Sequence, residues 1–417
     1  MTKGFFSSMG RALRYRNYRL FFSGQSISLT GTWMQRTALI WLVYRLTDSV
    51  AVMGLVDFVG QFPIFVFTPF AGVLLDRWHR YRVILVCQLL TMIQGLLFAF
   101  LILTDRVEVW QVLVLSLFLG IINAFDIPAR QSFVVEVVDD RQDLGNAIAL
   151  NSALFNSARI IGPSVAGLAI AMIGEGLCFL FNGLAHGATV VALLLMKLQP
   201  RPRKVLSGHI FRQLFDGMSY AWQVRPIRAL LLILCITSFA GWPIMMIMPV
   251  FVGKILSGGP QTLGLLFTVF GFGALVATAW LASRRHTGGL ERIIIRGGIL
   301  FSLGLMVFSQ SSWLWLSMVT IFVAGVGMVA QAASINTMLQ TLVEEEKRGR
   351  LMSLYVMAFG GTVPLGSLAY GQVAAHIGAP MTVFAGAILC LIGTAVFQVS
   401  LPSWQAEAKR RLDENLL

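Results

Sequence analysis

Predominantly apolar runs alternate with short polar breaks along the chain. The breaks cut it into pieces at 18–45, 51–75, 83–104, 109–127, 144–173, 177–197, 228–252, 262–283, 293–310, 312–333, 352–375 and 380–400. A helix rises about 1.5 Å per residue, and about 20 apolar residues cross a bilayer core. The runs are of that length or longer, and tilt or protruding ends absorb the excess. The pattern predicts an all-α membrane protein with twelve transmembrane helices.

The longest break divides the runs six and six. It opens on Gln199-Pro200-Arg201-Pro202-Arg203-Lys204, a stiff basic stretch. Ile210, Phe211, Leu214, Phe215, Met218, Ala221 and Trp222 follow at helical spacing, with Arg212, Gln213, Asp216 and Gln223 between them. That spacing predicts an amphipathic helix lying in the membrane interface. The expected organisation is an N-terminal six-helix bundle (1–197), a linker (198–227), and a C-terminal six-helix bundle with a tail (228–417). The halves look weakly repeated. Leu74-Leu75-Asp76-Arg77 closes the second span, and Leu281-Ala282-Ser283-Arg284-Arg285 closes the eighth. Paired, pseudo-symmetric halves are a transporter architecture with the substrate site near the midplane.

Composition agrees with a lipid solvent. Of 417 residues 57% are hydrophobic and 12% charged, with mean hydropathy +0.77. Soluble domains carry about 25% charged residues, so an ordinary soluble enzyme is excluded. The formal net charge of +13 would raise nucleic acid as a partner in a soluble protein. Here the distribution of the charge answers the question. With the N-terminus inside, 27 of the 32 Lys and Arg fall on the inner side or at inner span ends and three outside (Arg45, Arg106, Lys254), while Arg36 and Arg159 lie deep within spans. That is a positive-inside pattern with both termini cytoplasmic, and the expected location is a bacterial inner membrane. No nucleic-acid partner is expected. Cys87, Cys178, Cys235 and Cys390 each sit in an apolar run and read as reduced core residues. Met1 to Arg19 has no cleavable-signal pattern, so the first span is expected to stay in place.

The polar residues inside the runs are the candidate chemistry. A charge at mid-bilayer costs about 2.5–3.5 kcal/mol on the insertion scale and should face protein or water. Gln25, Ser28, Thr32, Gln35 and Arg36 share one face of span one. Asp57, Gln61 and Thr68 stripe span two, and Ser152, Asn156, Arg159 and Pro163 stripe span five. These stripes predict a wetted cavity. Arg36 and Asp57 differ in depth by about 6 Å, so an ion pair or near pair is expected. Asp57 is either the protonatable group that couples transport or a static partner of Arg36, whose charge would lower its pKa. Arg159 has no acid in its own span; substrate, carbonyls or water are its options. In the second half Ser238, Trp242, Met245, Met248, Gln331, Ser334, Asn336, Gln340, Tyr355, Phe359, Thr362 and Tyr370 recur at helical spacing, as pocket lining or as packing. His79, His209 and His286 fall in inner loops, His186 in span six and His376 at an outer end. A relay through His186 is not the favoured reading. No nucleotide, zinc or hydrolase motif is present, so no enzyme activity and no cofactor are expected.

Gly72-Val73-Leu74-Leu75-Asp76-Arg77-Trp78-His79-Arg80-Tyr81-Arg82 stands between spans two and three. In a twelve-span chain this resembles the loop signature of the major facilitator superfamily, and the whole chain is similar to its twelve-span drug and siderophore exporter branch. Asn17-Tyr18-Arg19-Leu20-Phe21, Trp41-Leu42-Val43-Tyr44-Arg45-Leu46-Thr47 and Gly349-Arg350-Leu351-Met352-Ser353-Leu354-Tyr355 follow that branch's manner. The resemblance implies an inner-gate latch of Gly72, Asp76, Arg77 and Arg80, with Asp126 at the end of span four as acidic partner. Ser283 stands where the second half would repeat Asp76, so the latch is expected on one side only. In span five Gly162, Pro163 and Gly167 resemble the close of the antiporter signature, with Ala166 in place of one glycine. Pro163 frees a carbonyl and the glycines permit bending, whether or not they set transport direction.

The implied function is export of an amphipathic small molecule, of drug or siderophore type, by proton-coupled antiport and alternating access. The expected partners are that substrate, protons and membrane lipids, and the expected state is a monomer. A lipid or lysolipid transporter of the same fold, and a non-transporting receptor or scaffold, are the alternatives.

Overall fold

The computed structural model describes residues 11–138, 140–197, 218–284, 288–343 and 345–416, and among them no strand occurs. The helices are α1 (Arg16–Thr47), α2 (Val50–Arg77), α3 (Arg80–Leu103), α4 (Val109–Val137), α5 (Leu144–Ile173) and α6 (Glu175–Leu194). After the linker come α7 (Arg225–Ala240), α8 (Ile244–Val250), α9 (Pro260–Ala282), α10 (Leu290–Gln310), α11 (Leu314–Leu342), α12 (Glu345–Ile377) and α13 (Ala379–Leu416). A π turn, Phe251–Ile255, continues α8.

Among the described residues ten segments are long and apolar enough to cross a membrane, Arg225–Ile255 counting as one. α1 is not among them. Its Gln, Ser, Thr and Arg lower its hydropathy, yet it runs for 32 residues. α5 contributes two shorter apolar pieces, Leu144–Phe155 and Ile161–Ile173.

Helix ends depart from the expected spans in several places, and α13 runs past the expected 400 to Leu416. α4 does not stop before Pro128 but runs on to Val137 with the proline inside it. Pro128 lacks a donor, and the helix continues because exposed irregular backbone in lipid costs more than one missing bond. Arg130, assigned from the sequence to an inner loop, is therefore a helical residue with a side chain only 14% exposed. The seventh span is interrupted at Gly241, Trp242 and Pro243 rather than continuous. α11 runs nine residues past the expected 333, to Leu342.

The chain forms two compact units. Unit 1 comprises Met1–Asp48, Val59–Ser207 and Gly259–Leu265; unit 2 comprises Ser49–Phe58, Gly208–Gly258 and Leu266–Leu417. α2 and α9 are thus each divided between units.

In unit 1, α6 packs on α1 and α3, while α5 packs on α1 and α4 on α3. One end is closed by an apolar cluster of Tyr18, Phe21, Ile84, Phe133, Val137 and Leu193. Beside it Asp143 accepts from Tyr15 at 2.9 Å and Arg14 at 2.7 Å. The Tyr15 hydroxyl, first, and Asp143, second, raise the pKa of Arg14, which stays charged. The first segment of α9 meets α5 at a glycine crossing: a Cβ on Gly167 would lie 2.7 Å from Gly264 Cα and 2.7 Å from the Pro260 carbonyl oxygen.

In unit 2, α10 packs on α11 and α13, and α7 packs on α12 and α13. Ile227, Leu230, Ile294, Ile335, Leu339, Leu342 and Trp404 form its core. The first segment of α2 crosses α12 closely, with a Gly54 Cβ position 2.5 Å from the Ser367 carbonyl oxygen and 2.9 Å from Gly371 Cα. The predicted amphipathic linker helix lies outside the described residues up to position 217. Residues 218–223 are helical, with Ala221 buried and Met218 and Trp222 exposed.

Candidate functional site

In unit 1 the polar face of α1 splits in two. Gln25, Ser28 and Gln35 are buried against the rest of the unit, while Thr32 and Arg36 are half-buried. The Arg36 guanidinium carbon lies 5.6 Å from the Trp33 ring centroid, a cation–π distance. Gln35 accepts from Asn182 Nδ2 at 2.5 Å and donates to Gln94 Oε1 at 3.2 Å, and Gln94 donates to the Leu115 carbonyl at 3.4 Å. α1, α3, α4 and α6 are joined by that chain.

A second chain runs beside it. Thr32 Oγ1 stands 3.4 Å from His186 Nε2, and His186 Nδ1 stands 2.7 Å from Gln88 Oε1. Gln88 Nε2 donates to Asp126 Oδ1 at 3.0 Å, and Arg130 one turn on donates to Asp126 Oδ2. Gln88, Asp126 and His186 are each at most 2% exposed. Sequence reading did not find this cluster. The signals were present as helical stripes: Gln88, Thr91 and Gln94 on α3, Asp126 and Arg130 four apart on α4, and Asn182, His186 and Thr189 on α6.

Among the latch residues, the side chains of Gly72, Asp76 and Arg77 lie outside the described residues. Arg80 NH1 pairs with Glu136 on α4 at 2.9 Å, an acid the sequence reading did not name. Asp126 is directed to Arg130 and Gln88. The side chains of Asn156 and Arg159 also lie outside the described residues. Gly162 is buried against Trp33, and Gly167 makes the α5–α9 crossing, so two glycines of the motif serve close packing.

In unit 2, Asp57 is half-buried and its Oδ2 accepts from Ser367 Oγ at 2.6 Å. Gln61, one turn further on α2, is half-buried and belongs to unit 1. Trp242, at the break between α7 and α8, packs edge-on against Phe359 with centroids 5.1 Å apart. Gln331 is 1% exposed; its Oε1 accepts from Thr237 at 3.1 Å and its Nε2 has no hydrogen-bond partner among the described residues. Tyr355 is packed against the unit core, and Thr362 donates to the Ala358 carbonyl at 2.6 Å. Unit 2 thus holds a carboxylate bonded to Ser367, an aromatic pair and a buried amide bonded to Thr237.

The family described as transmembrane secretion effector matches residues 7–417. The staphyloferrin A transporter of Staphylococcus aureus is 22% identical, over 84% of this chain and 87% of that protein. Macrolide efflux protein A of Streptococcus pyogenes is 23% identical over 88% and 92%, and the multidrug efflux pump Tap of Mycolicibacterium fortuitum is 23% identical over 87% and 90%. Among solved structures, a bacterial homolog of the human lysosomal transporter Spinster superposes with a TM-score of 0.73 at 14% identity, covering 96% of this chain and 98% of that one. A POT family transporter in complex with 5-aminolevulinic acid gives 0.73 at 12% identity, over 93% and 96%.

Proposed function

The chain belongs to the transmembrane secretion effector family, with the major facilitator fold of a multi-pass membrane protein, and from that membership we propose that it exports an amphipathic small organic molecule by alternating access, driven by proton antiport. The proteins it resembles move a siderophore, macrolides and multiple drugs by their names, and none is named as an enzyme. The orientation that the Lys and Arg distribution supports puts both termini in the cytoplasm of a bacterial inner membrane.

The observation that carries this reading is the pair of half-buried charges within helices, Arg36 and Asp57. Each would cost a few kcal/mol facing lipid. Residues of this kind mark substrate and ion pathways. Asp57 can take a proton on the carboxylate that Ser367 now holds. Gln25, Thr32, Gln61, Asn156 and Arg159, and in the second half Trp242, Gln331, Tyr355 and Thr362, are the residues that the polar and aromatic stripes of the sequence assign to the pathway. The expected substrate has both a polar and an apolar face. The loop signature assigns Gly72, Asp76, Arg77 and Arg80 to a cytoplasmic latch, with Asp126 as the acid that the family resemblance implies for it.

The test is a panel of a macrolide, a lipophilic cationic dye and a carboxylate siderophore in proteoliposomes, with and without an imposed pH gradient. The expected result is movement of at least one compound, stimulated about tenfold or more by the gradient, and loss of that stimulation in Asp57→Asn. Transport indifferent to the gradient removes antiport; no transport of any compound removes the exporter reading.

A further inference from the structure

The hydrogen-bond chain of unit 1 determines where His186 carries its proton. Asp126, ion-paired to Arg130, can only accept, so Gln88 must present its NH2 to Oδ1. The Gln88 carbonyl oxygen then faces His186 Nδ1 at 2.7 Å, which requires a hydrogen on Nδ1. The lone pair of neutral His186 is therefore on Nε2, directed to Thr32 on α1. Thr32 has one hydroxyl hydrogen, and it is given to the Ser28 carbonyl at 2.8 Å. Two lone pairs, of Thr32 Oγ1 and His186 Nε2, thus confront each other at 3.4 Å. One proton added to Nε2 turns that contact into a hydrogen bond and leaves every other bond of the chain in place.

We propose that His186 Nε2 is a proton-binding site of this protein, oriented by Asp126 through Gln88 and completed by Thr32. Gln88 and Asp126 act as positioning residues. His186 lies about 17 Å along α6, near mid-helix, where ionisable groups mark proton routes. The described ionisable groups around it are Asp126 and Arg130 on α4, Cys87 beside Gln88 on α3, and Arg36 one turn from Thr32 on α1. The Arg159 side chain of α5 lies outside the described residues. The incoming proton adds one positive charge to the core, and both burial and the Arg130 guanidinium oppose it. A sealed, uncompensated charge is costly. The loaded site therefore favours a conformation that admits water to the α1–α6 seam, and unloading favours the dry one. Coupling of this step to export rests on the antiport reading above.

Full-length protein in lipid nanodiscs, labelled with 15N-histidine and assigned with His186→Asn, reads the site without any substrate. The expected spectrum at pH 8 is the Nδ1–H neutral form, with a second proton appearing at Nε2 as the pH is lowered to 4.5. Thr32→Val removes the facing oxygen, and the protonated fraction at a given pH should fall about five- to tenfold. An Nε2–H neutral form, or a His186 that stays neutral throughout, overturns the proposal. In proteoliposomes, His186→Asn should lose the stimulation by a pH gradient of whichever panel compound the wild type moves. Unchanged stimulation overturns the coupling role. Failure of the wild type to move the macrolide, the dye or the siderophore overturns the exporter reading alone, and the spectrum still decides the proton site.

Discussion

Asp126 illustrates what a charge must do to persist inside a bundle of membrane helices. It is 1% exposed, pairs with Arg130 on its own helix and takes a further hydrogen bond from Gln88 on α3. Removing one partner leaves the other buried and uncompensated, which costs about 3–5 kcal/mol. Asp126→Asn and Arg130→Ala are each expected to lower the thermal unfolding midpoint in detergent markedly. Asp126→Asn combined with Arg130→Gln should recover part of the loss, because no naked charge remains. The one-turn spacing of the pair was legible in the sequence. Its burial was not, since Pro128 reads as a span end and Arg130 then reads as loop. Asp57 shows the opposite balance: its position within a span was evident, and its partner Ser367 lies 310 residues away. Ser367→Ala should leave folding nearly unchanged and alter the pH dependence of transport, measured in the same proteoliposomes.

At the scale of helices, the close crossings are made where backbone meets backbone. Gly167 against Gly264 and Gly54 against Gly371 leave no room for a side chain. Lipid supplies no hydrophobic drive between helices, so close van der Waals approach through small residues takes its place. A Cβ at Gly167 would meet backbone atoms, which cannot rotate aside. Gly167→Ala should therefore cost about 1–3 kcal/mol by overpacking, seen as a lower unfolding midpoint, whereas Ala at Gly145, which has open space, should change little. The sequence showed the glycine and proline of α5 as a motif but not their partners. Gly264 and Pro260 stand about a hundred residues further on, in a helix with no matching signature.

For the molecule as a whole, the distribution of basic residues makes the sharpest expectation. Single cysteines at Asp105, in the turn after α3, and at Ser403, exposed near the end of the last span, should label from opposite sides of the membrane. An impermeant maleimide on intact cells should reach Asp105→Cys at once and Ser403→Cys only after permeabilisation. Three of the four native cysteines are buried and Cys235 is half-buried, so background labelling should be low. Equal labelling of both sites would remove the assigned orientation.

Partition between lipid and water depends on local composition. Runs of apolar residues therefore indicated, without any coordinates, that the chain is helical and where most helices begin, while several helix ends lie well beyond the apolar runs. Register within a bundle depends on residues far apart in the chain. That His186 meets Gln88 and Thr32, that Gln88 reaches Asp126, and that α2 and α9 are each shared between two units were settled only when the helices packed. A helical stripe says that one face is polar; the neighbour that satisfies its hydrogen bonds is chosen by the tertiary fold.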